Sequence, residues 1–174
     1  MSVESRRQWP VVLETVERAK GLPGFTAAIL IGSFAAGTAD DLSDVDLIFA
    51  VADGSFGDAW ARRAELRSDG AVFSWDVRPE PEREVAAHKW ITHDLVLVEA
   101  VIAAPAARAR LADPHRIVAG DAAAVGGFLR IPPIERADLA DYAAQMQREG
   151  HTPDVQIRYE ALIRALRKEI STRP

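Results

Sequence analysis

Between Lys20 and Arg62 the chain carries no basic residue, yet Asp40, Asp41, Asp44, Asp46, Asp53 and Asp58 all fall inside that stretch. Carboxylates this dense, with no cation near them in sequence, repel one another unless the fold or bound cations compensate. The stretch opens with an uncharged run from Gly21 to Ala39, long enough to raise the question of a membrane span. Pro23, Gly24, Gly32, Ser33 and Gly37 interrupt it, and its continuous apolar part is only Ala27 to Ile31, the length of a buried strand. The pattern therefore predicts two buried strands, Phe25 to Ile31 and Asp44 to Val51, flanking a turn or short helix from Gly32 to Gly37.

Around this pair the chain reads as an ordinary globular mixture. Trp9, Val12, Leu13, Val16 and Ala19 recur at helical spacing behind Pro10, with Gly21 expected as the residue that ends the helix. A surface helix is expected over Asp58 to Arg67 and a third strand over Ala71 to Val77, closed by Pro79 and Pro81. Glu82 to Trp90 fits neither template, while Leu95 to Ile102 is a strongly apolar fourth strand with one charge, Glu99. Beyond it the sequence looks helical, with short helices expected over Ala103 to Arg110 and Ala122 to Phe128. Pro132-Pro133 then marks a boundary. A helical pair should follow, from about Ile134 to Glu149 and, capped by Thr152 and Pro153, through Val155, Tyr159, Leu162, Ile163, Leu166 and Ile170. The expected organisation is a core over 1–132 with the pair at 133–174 packed on it.

Composition narrows the function classes. With 174 residues the chain is long enough for one well-buried core, and 48% apolar with 27% charged residues excludes disorder as its main state. The absence of cysteine removes disulfides, thiolate metal sites and a cysteine nucleophile. A net charge of -5 argues against general nucleic-acid binding, and the seven acids and seven bases after Pro133 make no polyanion patch. Glu4, Arg6, Arg7, Glu14 and Glu17 interrupt any signal-peptide core, so a cytoplasmic protein with no membrane partner is expected.

The chemistry concentrates in Gly32-Ser33, then ten residues, then Asp44-Val45-Asp46. On a strand, side chains two apart share a face, so Asp44 and Asp46 project together while Val45 and Leu47 enter the other side. Paired carboxylates are hard oxygen ligands suited to Mg²⁺, above all in paired-metal phosphoryl chemistry. Directly behind a buried strand, the backbone N–H groups and hydroxyl of Gly32 and Ser33 are placed to hold a phosphate oxygen. The competing view is that Asp40, Asp41 and Asp44 are turn residues bonding to local backbone. A calcium loop lacks its glycine and terminal Glu, and no GxGxxG or GK[ST] follows Gly32.

A GS, ten residues and a DxD between two strands resemble the nucleotidyltransferase superfamily related to DNA polymerase β, which includes antibiotic and minimal nucleotidyltransferases. The resemblance is firmest from about Phe25 to Val51. It implies an α/β (α+β) fold, a mixed sheet with helices on one face, to which the C-terminal helical hairpin is added. It also implies that Gly32 and Ser33 contact a triphosphate, that Asp44 and Asp46 bind two Mg²⁺ ions, and that a carboxylate from a later strand completes the site. The reaction implied is transfer of a nucleoside monophosphate from an NTP, expected to be ATP, to an acceptor hydroxyl on a small molecule or protein, with release of pyrophosphate. The acidic stretch favours a cationic acceptor such as an aminoglycoside. The alternatives are an antitoxin-type protein of the minimal class that binds a helical protein partner, and an inactive scaffold.

For the third carboxylate the sequence offers Glu99, Asp94 and Asp76, in that order. Glu99 interrupts Leu95-Val-Leu-Val98 and Ala100-Val-Ile102, a run apolar enough to be buried on both faces. An unpaired Glu there is costly, so a cation or donors should face it. The competing view is a structural salt bridge to an Arg. Asp94 opens the same strand and Asp76 ends the third, where either acid could simply face water. His88, His93, His115 and His151 show no metal-ligand spacing, and Trp9, Trp60, Trp75 and Trp90 are expected in core or boundary roles, with Trp75 able to border the site.

Overall fold

The computed structural model describes residues 2–41, 43–77 and 82–132. The chain divides into two compact units at Pro133 and Ile134, and the helical pair expected at 133–174 lies outside the described residues. The described part is a mixed α/β structure built on a six-stranded sheet.

Helix α1 (Trp9–Ala19) starts with Pro in its first turn, where the missing N–H costs nothing, and buries Val12, Thr15, Val16 and Ala19. The helix ends at Ala19 with Lys20 as its cap, so Gly21 follows it as expected, and the left-handed glycine is Gly24, at φ 68°, at the entry to β1 (Phe25–Leu30). Helix α2 (Gly32–Ala36) follows and ends at left-handed Gly37, and β2 (Val45–Val51) runs back antiparallel to β1. Asp44 thus precedes the strand by one residue, whereas the sequence pattern had placed it inside. The expected surface helix is shorter and earlier, α3 (Phe56–Ala61), and continues as a 3-10 turn over Arg63–Leu66.

The next strands are β3 (Ala71–Val77), β4 (Val85–Thr92) and β5 (Leu97–Ala103). Only 3-10 turns occur at Pro105–Ala107 and Ala122–Gly127, where short helices were expected. Between and after them lie β6 (Arg110–Ala112), β7 (Arg116–Gly120) and β8 (Leu129–Ile131). Alanine-rich sequence has high helix propensity, but here the open edge of β1 recruits Arg116 to Gly120 as a partner, and tertiary pairing overrides propensity.

The order across the main sheet is β3-β4-β5-β2-β1-β7, with β6 and β8 forming a separate parallel pair. All neighbours in the main sheet are antiparallel except β2 and β5, which run parallel at its centre. One face packs Val45, Leu47, Phe49, Val98, Ala100, Ile102 and Trp90 against α1, α2 and α3. On the other, Ile29, Ile48, Ala50 and Ala103 meet Leu111 of β6 together with Ala109 and Phe128, the residues just before β6 and β8. Burial on both faces explains why β2 and β5 read as continuous apolar runs. Each fully buried Leu, Ile or Phe there contributes about 1.5–3 kcal/mol. A polar residue in these strands interrupts a packed layer, so its position carries information. Among the described residues no helix is long and apolar enough to cross a membrane.

Candidate active site at the head of the central strands

Gly32 is where the backbone comes closest to the acidic motif. Its φ is 64°, and a Cβ placed on it would lie 2.6 Å from Oδ2 of Asp46. Only glycine meets both demands, a left-handed backbone and a carboxylate pressed against the missing side chain. The neighbouring Ile31 N–H donates to the Asp46 carbonyl at 3.0 Å, so the turn is stitched to β2 at the residue that matters. Phe34 is buried beneath α2 and stacks on Trp9 with ring centroids 6.5 Å apart, which seats the half-buried Ser33 in this turn.

Register then decides which later carboxylate joins the motif. Asp46 pairs directly with Glu99 across the parallel β2–β5 ladder, and Glu99 pairs with Lys89 across β5–β4. Alternation puts all three side chains on the face of Ile48, Ala50 and Val101, opposite Val45 and Leu47. Oε2 of Glu99 lies 2.7 Å from Nζ of Lys89, whose side chain is only 6% exposed. Asp44, half-buried, stands two residues before Asp46 at the entrance to the strand.

Asp76 lies on the opposite face. It pairs with His88 in the β3–β4 ladder, accepts a bidentate bond from Arg63 at 2.7–2.9 Å and meets His88 Nδ1 at 2.7 Å. Burial acts to raise the Asp76 carboxyl, but the Arg63 and His88 hydrogen bonds outweigh it and hold the pKa below the usual carboxylate value. His88 is pushed below the usual histidine value, chiefly by burial and against the pull of Asp76. Asp94 occupies the exposed β4–β5 turn beside His93. Neither rival is a register neighbour of Asp46. Trp75, the β3 partner of Lys89, lies on the carboxylate face and makes a tilted contact with Phe73.

The segment leading into the motif is fixed by residues far away in sequence. Gln8, buried at the start of α1, donates from Nε2 to the carbonyls of Asp40 and Ser43 at 2.9 and 3.1 Å. The Ser43 hydroxyl donates to Asp40 Oδ1 and accepts from its N–H. Arg7 donates to the carbonyls of Asp41 and Asp94, and Arg6 pairs with Asp41 at 3.2 Å. Asp53 accepts from the Ala106 N–H. The acidic stretch is therefore partly compensated from outside itself. Asp40 and Asp41 have structural partners, which matches the turn-residue view for those two positions, and Asp53 is held by backbone as well, while the carboxylate of Asp46 comes up against Gly32.

No protein-family model and no curated protein matches the chain.

The fit of a divalent cation rests on the donors present. Two aspartates at one strand entrance offer hard oxygen ligands, and the Asp46 carboxylate fills the side-chain-free space at Gly32. Among the described residues no group of three or more His, Asp or Glu side chains could hold a metal ion. The carboxylate of Glu99 is engaged by the Lys89 ammonium. Sequence reasoning anticipated an Arg as the competing partner and missed Lys89. Its signal was available: one lysine inside Val85-Ala-Ala-His-Lys-Trp-Ile, an otherwise largely apolar segment.

Proposed function

We propose that the protein is a Mg²⁺-dependent nucleotidyltransferase that transfers a nucleoside monophosphate from an NTP, with ATP the expected donor, to an acceptor hydroxyl. The observation that carries this reading is the convergence of Gly32, Asp46 and Glu99: a glycine-only turn pressed against one carboxylate and a second carboxylate beside it in register. In the reaction the acceptor oxygen forms a bond to the α-phosphorus while the bond from that phosphorus to the bridging oxygen breaks. Pyrophosphate departs with the electron pair, and the hydroxyl proton is released.

The residues divide this work by chemistry. Asp44 and Asp46 would hold Mg²⁺, which supplies charge neutralisation to the triphosphate and to the leaving oxygen. The Ser33 hydroxyl and the backbone at Gly32 would orient the phosphates beside those carboxylates. The Gln8 bonds to Asp40 and Ser43 keep Asp44 from drifting, and a displacement of about 1 Å at such a site costs on the order of a hundredfold in rate. Glu99 places an acid, and through it Lys89, next to Asp46.

The reading is tested by incubating the purified protein with each α-labelled NTP, Mg²⁺ and a panel of hydroxyl acceptors, cationic aminoglycosides and helical proteins included. Label transferred to one acceptor in an Mg²⁺-dependent way is the expected result. No transfer, combined with no nucleotide binding by calorimetry, would contradict it.

A further inference from the structure

Residues 3–9, leading into α1, touch four separate segments at the head of the main sheet. Glu4 accepts from Arg116, the first residue of β7, at 2.7 Å, and Trp9 stacks on Phe34 of α2. Gln8 holds the carbonyls of Asp40 and Ser43 just ahead of β2. Arg7 reaches two of the segments at once. Its Nε and Nη2 donate to the Asp41 carbonyl at 3.3 and 3.0 Å, and its Nη1 donates to the Asp94 carbonyl in the β4–β5 turn at 2.7 Å. These three bonds go to main chain, so they fix where the two segments run, whereas a carboxylate partner could swing on its own side chain.

The two segments lead into the parallel pair at the centre of the sheet. Asp44 follows Ser43 directly, β5 opens at Leu97, and Asp46 and Glu99 lie in register just inside. The turn on the β5 side is held against backbone strain. Leu95 has φ 59°, a left-handed conformation that a non-glycine residue keeps where its surroundings fix it. Here the Thr92 carbonyl accepts from the Leu95 N–H at 2.8 Å, the buried Thr92 hydroxyl accepts from the Val96 N–H at 3.1 Å, and Arg7 holds the carbonyl of the Asp94–Leu95 peptide. The base of Arg7 is itself anchored between buried Val3 and buried Gln8. A guanidinium suits this task because its planar fork presents donors in two directions, where an ammonium is a single point of charge. We infer that Arg7 is a positioning residue that locks the acidic segment ahead of β2 to the β4–β5 turn, so that the two open and close as one unit. The coupling rests on these hydrogen bonds alone, and its effect on transfer rests on the nucleotidyltransferase reading.

The test follows backbone amide exchange by NMR on the full-length protein, for the wild type, Arg7→Met, Arg7→Gln and Arg6→Met. The reporters are Ser43, whose N–H donates to the Asp40 carbonyl, and Leu95 and Val96 in the turn. Ala52 and Asp121, at the far end of the sheet, donate to the carbonyls of Gly24 and Thr26 and serve as controls. Arg7→Met and Arg7→Gln should speed exchange at both segments on the order of tenfold and leave the controls unchanged. Arg6→Met, which loses the contact with the Asp41 carboxylate, should affect Ser43 and spare the turn. Faster exchange at one segment alone in the Arg7 variants, or at neither, overturns the inference, and so does an Arg6→Met that loosens both segments equally. Should Arg7→Met not fold, Arg7→Gln decides. In the transfer assay the Arg7 variants should lower kcat on the order of tenfold while the nucleotide KM stays within about threefold. Coupled exchange with an unchanged kcat would overturn the positioning role. No transfer by the wild type would remove the nucleotidyltransferase reading instead, and the exchange rates would still decide the coupling.

Discussion

His88 and Lys89 are neighbours on β4, and the strand sends them to opposite faces of the sheet, each buried and each facing a carboxylate. His88 meets Asp76 on the face packed by the helices, where Arg63 binds the same carboxylate and itself lies over the Trp60 ring at 4.7 Å. Lys89 meets Glu99 on the other face, and Glu99 is the register partner of Asp46, whose carboxylate lies against the Gly32 turn. The two pairs use the same kind of interaction, yet only one has a further acid next to it. A buried ion pair is thus weak evidence of function by itself, and its neighbours across the strand ladder decide what it is for.

The comparison breaks most easily by neutralising each acid in turn. Glu99→Gln is predicted to lower nucleotidyl transfer on the order of a hundredfold, whereas Asp76→Asn leaves kcat within about twofold and costs stability instead, on the order of 1 kcal/mol. Steady-state kinetics and urea denaturation on both variants separate these outcomes. If Asp76→Asn proves the more damaging to turnover, the faces have been assigned the wrong roles.

Next in size is Gly32→Ala. It places a Cβ in a left-handed backbone and 2.6 Å from Asp46 Oδ2, so the carboxylate or the turn must move. A loss of about 1–2 kcal/mol is expected from the backbone alone, together with a fall in transfer of at least tenfold. Gly37→Ala is the control: it too has positive φ, but its Cβ meets nothing within 4 Å. It should cost similar stability and little activity, and equal losses of activity in both would remove the argument from close approach.

The smallest effect belongs to His88 and sharpens the contrast between the faces. Its pKa is lowered in the fold, so as pH falls the unfolded chain takes up the proton first and stability is lost below about pH 6.5. Arg63, Arg67 and Asp76 are the charged groups acting on it, and its Nε2 is buried with no hydrogen-bond partner among the described residues, so a proton there has nowhere to donate. Denaturation midpoints measured from pH 7.5 to 5.5 should fall with pH in the wild type and fall less in His88→Asn. Parallel slopes would show that His88 is not the titrating group. The carboxylate acts in the same direction at lower pH: the Asp76 contribution, present above its unfolded value of about 3.8, is lost as pH falls through its still lower folded value.

What the sequence revealed follows from how locally each feature is determined. The Gly32 turn, Asp44, Asp46 and the two central strands are legible because strand periodicity, glycine and paired acids act within a few residues. Glu99 was legible as a charge inside an apolar run, and the same test applied to Val85–Thr92 would have found Lys89. There the segment's two alanines and histidine obscured the strand, so the lysine went unread. Strands β6, β7 and β8 were illegible for a different reason: they are only three to five residues long, and they exist because other strands offer edges to pair with, which no window of local sequence records. The clamp of Arg6, Arg7 and Gln8 on the acidic segment is likewise non-local, set by contacts more than thirty positions away.

The central claim, that Asp44 and Asp46 form the cation-binding heart of a transfer site, is tested most directly by one paired measurement on Asp44→Asn and Asp46→Asn. Mg²⁺-dependent transfer of α-labelled ATP is assayed alongside the melting temperature in EDTA. The account predicts that each variant loses transfer by a factor of at least a hundred while its metal-free melting temperature is unchanged or raised, because removing one charge relieves carboxylate repulsion. Full activity in both variants, or a matching collapse of stability, would contradict it.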